Sequence, residues 1–244
     1  MPRRRLSELE TPALANQENR ADQGPQLLAM APTPGLAERA AEAIVLGVAS
    51  GVLQPGQRLV EVELARMLKM SRVPLREALK ILEAQGIVES APHRGTHLAT
   101  FDEARIDEIC EARLALEKIA MRGAMAAYRR DPGLLARLDK VLGGMERAAR
   151  HLEWIEISQA DLDFHREICR VSGNAIVQKL WDAIARHVLI VFGKEIRSER
   201  DARTIVAQHK KLRDILAAGK AEALDDELDQ HILRLQRRKG RNVR

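Results

Sequence analysis

The chain has 244 residues, 45% of them apolar and 31% charged, with 40 basic side chains against 35 acidic ones and a formal net charge of +5. That balance excludes a disordered polymer and a membrane-embedded bundle, and the length suits one or two domains, each with its own core. Two cysteines, Cys110 and Cys169, exclude a disulfide scaffold and a four-thiolate zinc site, while only six aromatic residues leave no series of stacking platforms for single-stranded nucleic acid.

Residues 1–33 are rich in Pro, Ala, Gln and Asn, lack hydrophobic periodicity and read as a flexible tail. The basic start, Arg3 to Arg5, is followed by Glu8 and Glu10, which spoil a signal-peptide core, and no run of apolar residues is long enough to span a bilayer. The expectation is a cytoplasmic protein. From Leu36 the pattern turns helical. Helices are predicted over 36–50, about 62–68 and 72–85, with a turn at 53–57 between the first two. Ser71 is placed to cap the third helix, Pro74 sits in its first turn, and Gly86 ends it. Residues 87–90 then read as a strand, 93–96 as a hairpin turn and 97–99 as the returning strand. Three helices and a hairpin make the layout of a winged helix-turn-helix, assigned to 36–100.

After Asp102 everything reads as helix: 103–129, 132–150, 155–171, 175–197, 201–218 and 220–238, punctuated by Asp131-Pro132-Gly133, Ser172-Gly173-Asn174 and Gly219. The predicted fold is therefore mainly α, a winged helix-turn-helix domain followed by an all-α helical bundle over 103–238 and a basic tail at 239–244. The basic excess lies at the C-terminal end, so the net charge does not by itself argue for nucleic-acid binding.

On the third helix Leu75, Ala78, Leu79 and Leu82 recur at i, i+3, i+4 and i+7 and face inward. Arg72, Arg76 and Lys80 are four apart on the outward side and drift by about 40° per step. Such a row can meet phosphates and the O6 and N7 edges of guanine in a major groove. The run Leu53-x-Pro55-Gly56-x-x-Leu59, Leu64-Ala65-x-x-Leu68, Ser71-Arg72-Val73-Pro74-Leu75-Arg76-Glu77-Ala78-Leu79, Leu82-Glu83-x-x-Gly86 and Arg94-Gly95-Thr96 resembles the winged-helix domain of GntR-type bacterial transcription regulators. The resemblance implies that Arg72 and Arg76 touch double-stranded operator DNA, with Ser71 and Lys80 completing the face, and that Arg94 and Gly95 lie at the wing near the minor groove. The family often has Thr where this chain has Val73, which removes a hydroxyl contact. Glu77 is read as steadying the helix, and His93 and His97 as solvated or phosphate-touching residues beside the wing tip.

Asp161 and His165 are four apart on one predicted helix and share a side of it. His209 and His231 lie on either side of Gly219, about 15 Å before and about 17 Å after it at the helical rise, so an antiparallel turn there brings them level. One carboxylate and three imidazoles suit a divalent metal ion: zinc by ligand type, with nickel, manganese or iron also compatible. Asp161-Leu-Asp-Phe164-His165, Ser172-Gly173-Asn174, Gln208-His209 and His231 resemble the FCD effector domain of one GntR subfamily, where such an Asp-x-x-x-His pair and two later histidines hold a metal. Asp163 points elsewhere on its helix, and His151 and His187 have no place in the pattern. Arg113 shares an inward stripe with Glu117. It is read either as an i, i+4 ion pair or, by the resemblance, as the cation that meets an effector carboxylate. Asn174 is either a helix cap or a ligand contact.

The sequence thus reads as a homodimeric regulator that responds to a small organic acid. Two rivals stand beside it: a helical metalloenzyme acting on small carboxylates, which lacks any Glu-x-x-His or His-Glu-x-x-His motif, and a DNA-binding protein with a purely structural metal.

Overall fold

The structure, a computed structural model, describes residues 35–91, 95–198 and 201–233. The tails at 1–33 and 239–244, the last turn of the helix expected to reach 238, and Arg94 and His93 at the wing tip lie outside the described residues.

Helix α1 (Leu36–Ala49) buries Ala40, Ala41, Ile44, Val45 and Val48 and packs along α3 (Arg72–Ala84), with α2 (Glu61–Met67) beside it. On α3 the inward set is the expected one: Leu75, Ala78, Leu79 and Leu82 are all buried. Ser71 occupies the cap position of α3, but its side chain makes no capping bond. Three strands form the wing, β1 (Arg58–Leu59), β2 (Val88–Ala91) and β3 (Gly95–Leu98), in the antiparallel order β1-β3-β2. The sheet differs from the expected two-stranded hairpin in two ways. β1 pairs Arg58 with His97 and Leu59 with Thr96; two residues are too few for an alternating pattern to show. Gly95 and Thr96, expected in the turn, belong to β3, because Ala91 pairs with Gly95 and the ladder runs two residues further than the polar composition suggested.

The helical part begins with α4 (Glu103–Arg130), capped by Asp102, whose carboxylate accepts the backbone N–H of Arg105. A short 3-10 turn (Pro132–Leu134) leads to α5 (Leu135–His151), α6 (Trp154–Val171), α7 (Ala175–Ser198), α8 (Ala202–Ala218) and α9 (Ala221–Ile232). Gly219 turns α8 back into α9 with φ +67°, a left-handed conformation that glycine enters without steric cost. The core is aliphatic, filled out by Trp181, Phe164, Phe192 and Tyr128. Helix α7 also packs on α1. Its Arg186 reaches Glu38 on α1 and donates to the Gln85 side chain (3.0 Å) at the end of α3, and its Arg197 donates to the Ala49 carbonyl oxygen (2.7 Å).

Two glycines in the helices test this packing. A Cβ at Gly123 would lie 2.8 Å from the Ser172 carbonyl oxygen, a backbone atom that cannot swing aside, whereas one at Gly143 meets only the flexible end of Arg147 at 3.6 Å. Gly143→Ala should stabilise the chain by up to about 1 kcal/mol through helix propensity. Gly123→Ala should lose about 1–3 kcal/mol from overpacking despite the same gain. Thermal or urea unfolding of both variants checks the pair, and a stabilised Gly123→Ala would show that α4 and the α6–α7 turn are not in the close contact described.

Candidate metal centre and nucleic-acid interface

The outward face of α3 is held by an acid on another helix. Arg72, Arg76 and Lys80 are exposed, as expected from their spacing. Glu61, the first residue of α2, accepts Nε of Arg76 at 2.8 Å and Nη2 of Arg72 at 3.3 Å on the same oxygen. The hydrogen bond from Arg76 is the main cause holding the Glu61 carboxyl below its ordinary range. Pairs this exposed contribute no more than about 1 kcal/mol each, so their main effect is to order the two guanidinium groups. Sequence reasoning missed Glu61: its partners lie 11 and 15 residues away, and only the packing of α2 on α3 brings them to it. Glu77 pairs with Lys80 at 2.9 Å, which agrees with a steadying role. Val73, at 72% exposure, puts bare methyl groups between the arginines, and His97 lies in β3 opposite Arg58.

The second site is deep in the helical bundle. Asp161 and His165 stand one turn apart on α6, His209 on α8 and His231 on α9. All four are buried, and one ligand atom from each lies within 4.8 Å of all the others. His165 Nε2 and His231 Nε2 are 3.1 Å apart, and His209 Nε2 is 2.9 Å from Asp161 Oδ1. The lone pairs follow from the other ring atoms. His209 Nδ1 is 2.8 Å from the Ile205 carbonyl oxygen and must carry the proton there. Its Nε2 then presents a lone pair to a carboxylate oxygen, and neither of these two atoms makes a hydrogen bond. Two lone pairs at that distance require a cation between them. A proton serves one such pair, whereas one divalent ion could be held by all four residues. The separations also suit metal ligands: bonds of about 2.0–2.1 Å put neighbouring donor atoms roughly 2.9–3.4 Å apart in octahedral or tetrahedral sites.

The charge states agree with that fit. Burial pushes the Asp161 carboxyl up, and the Arg113 guanidinium beside it pulls the other way and favours the ionised form. Burial pushes His165 down, in spite of Glu117 beside it. An ionised carboxylate and a neutral imidazole are the forms a metal binds. Asp163 turns away to Arg166 and Gln159, His187 packs edge-on against Phe101, and His151 is exposed at the end of α5, so none of them joins the centre.

Arg113 on α4 is wholly buried next to this cluster. Its Nε donates to Glu117 Oε1 at 2.7 Å, so the i, i+4 pair is formed. Its Nη2 lies 3.8 Å from Asp161 Oδ2, and the guanidinium carbon sits 4.2 Å over the Phe192 ring and 5.6 Å from Trp181. Neither Nη1 nor Nη2 makes a hydrogen bond. The other oxygen of Glu117 is 2.6 Å from His165 Nδ1, a contact across two helices that no spacing in the sequence signals. Asn174 is exposed at the start of α7, where its side-chain oxygen accepts the N–H groups of Ile176 (3.2 Å) and Val177 (3.1 Å); it is the helix cap.

Comparison with known proteins covers both halves of the chain. Residues 36–98 match the family model described as bacterial regulatory proteins, gntR family, and residues 108–234 match the FCD domain. The chain is 29% identical to a probable D-xylose utilization operon transcriptional repressor of Paenarthrobacter nicotinovorans over 81% of its own length and 85% of that protein's. It is 30% identical to the gluconate operon transcriptional repressor of Bacillus subtilis (strain 168), over 59% of this chain and 58% of that one. Among solved structures, E. coli McbR/YncC superposes with a TM-score of 0.70 at 21% identity, covering 87% of this chain and all of that one, a likeness of fold. The chain belongs to the GntR family of bacterial regulatory proteins, as a transcription regulator whose helical part is an FCD domain.

Proposed function

We propose that the chain binds operator DNA as a homodimer through Arg72, Arg76, Lys80 and Ser71, with Arg94 and Gly95 at the wing, and that its buried centre holds a divalent metal and a small organic acid. The reading assigns 36–100 to DNA binding and 103–238 to sensing. Two of the relatives named above are described as a probable D-xylose utilization operon transcriptional repressor and a gluconate operon transcriptional repressor, which supports regulation over catalysis.

One observation carries the sensing half: one potential ligand atom from each of Asp161, His165, His209 and His231 lies within 4.8 Å of the others in the buried core, beside an Arg113 whose Nη1 and Nη2 make no hydrogen bond. Charge explains the pairing of ligands. With the imidazoles neutral, Asp161 and Glu117 against Arg113 leave one uncompensated negative charge in a dry core. A divalent cation reverses it to one positive charge, and a monoanionic acid then neutralises the whole. Such compensation is what buried charges require. When bound, the metal would supply Lewis acidity and a place for a carboxylate oxygen. Asp161, His165, His209 and His231 would hold the ion, and Arg113 would orient the acid through its planar fork. Zinc is the assignment by ligand type.

Helix α7 supports a route from the site to the DNA-binding half. Phe192 and Trp181 flank Arg113, and Arg186 on the same helix meets Glu38 and Gln85. An acid that draws Arg113 can therefore bias where α7 lies against α1 and α3. It regulates only by its differential affinity for the two arrangements. On the DNA side, the exposed Val73 methyl groups fit a thymine methyl where a hydroxyl contact is absent.

Arg72→Ala and Arg76→Ala should each weaken operator binding by about 1–3 kcal/mol in titrations at fixed salt, if they make bidentate base contacts. Unchanged affinity for both would remove the assigned recognition face. His209→Ala should purify with much less metal by elemental analysis and lose its response to acids, while ligand-free operator binding survives. Arg113→Lys keeps the charge beside Glu117 but loses the fork, so metal content should hold while acid affinity falls. A thermal-shift screen of carboxylic acids on metal-loaded protein identifies the acid, because a ligand of the native state raises Tm. Full metal and full response in His209→Ala would sink the metal reading.

A further inference from the structure

Glu117 is the one buried acid at the centre that holds neither metal nor effector in the reading above. It lies on α4 at 1% exposure and divides its oxygens between two neighbours. Oε1 accepts Nε of Arg113 at 2.7 Å, and Oε2 is 2.6 Å from His165 Nδ1. Two lone pairs do not approach to 2.6 Å in a dry interior, so the distance places a proton between nitrogen and carboxylate oxygen, off the line of a regular hydrogen bond. His165 Nδ1 therefore carries the proton, and Nε2, the atom 3.1 Å from His231 Nε2, turns its lone pair into the centre.

We propose that Glu117 is a positioning residue that locks His165 in its ligating tautomer and, through its shared carboxylate, links the metal ion to Arg113. The proposal rests on the metal reading above. The link follows from charge. Were a cation held by Nε2, His165 Nδ1–H would be a stronger donor and would draw carboxylate charge toward Oε2. Oε1 would then hold Arg113 less tightly, leaving the guanidinium more charge for an incoming carboxylate. No second acid substitutes for Glu117. The remaining carboxylate of the cluster, Asp161, keeps Oδ2 at 3.8 Å from Arg113 and turns Oδ1 to His209.

The test compares wild type, Glu117→Gln and a control, Glu111→Gln, which changes an exposed acid on the same helix. Cobalt(II) serves as the metal, because its visible spectrum reports coordination, and acetate serves as the carboxylate. Glutamine can serve one neighbour as acceptor, but it carries no charge to share. Glu117→Gln should bind cobalt about 10–100-fold more weakly, the usual effect of removing the partner of a ligating histidine. Acetate affinity of the cobalt-loaded variant should also fall severalfold, while Glu111→Gln matches wild type. Nitrogen-15 shifts of the imidazoles in the metal-free wild type give a readout that needs no variant, and His165 should be protonated on Nδ1. Cobalt and acetate binding unchanged in a folded Glu117→Gln, or a His165 proton on Nε2, overturns the proposal. A wild-type chain that takes up no cobalt at this centre overturns the metal reading and this one with it. A wild type that loads normally beside an unaltered Glu117→Gln overturns this one alone.

Discussion

Placing Asp161, Glu117, Arg113 and three histidines in one dry pocket constrains the whole helical domain. Each of these groups would cost several kcal/mol if buried alone, and each is tolerable only because another element presents its counterpart. The elements are therefore not free to slide. Helix α4 must bring Arg113 and Glu117 against α6, and α8 and α9 must meet His165 from the far side. The aliphatic core would accept many neighbouring packings, because hydrophobic contact has little direction. The polar cluster selects among them through distances near 3 Å.

The same demand gives α7 two tasks. Its inner face supplies Trp181 and Phe192, whose rings flank the Arg113 guanidinium where water is excluded. Other positions on the helix supply Arg186 and Arg197, which reach the DNA-binding half by hydrogen bonds to Glu38, Gln85 and the Ala49 carbonyl oxygen. One helix thus touches both the buried Arg113 guanidinium and the end of the helix that carries Arg72 and Arg76. The two sets of contacts, which alternate along the helix, differ in kind. The inner ones are enclosed, while those to α1 and the end of α3 are part-buried.

At the surface of α3 the balance is the reverse. Arg72 and Arg76 are hydrated, so Glu61 contributes little stability. What it contributes is order in the two guanidinium groups, which it holds by one edge. An acid among the cations also lowers the local positive potential of this face.

Periodicity is local, and most of this protein's architecture is written locally. The inward rows of α1 and α3, the stops at Gly86 and Gly219, and the one-turn spacing of Asp161 and His165 follow from residues a few positions apart. Even the level placement of His209 and His231 needed only the helical rise and one glycine turn. Arg113 and Glu117 were visible as a pair for the same reason. Tertiary structure decided the rest. β1 is two residues long and exists only because β3 lies beside it. Glu61 meets Arg72 and Arg76 because α2 packs on α3, Glu117 meets His165 because α4 crosses α6, and Arg186 meets Glu38 across 148 residues of chain. Contacts of that kind depend on helix crossing angles and side-chain reach, which spacing along the chain does not encode.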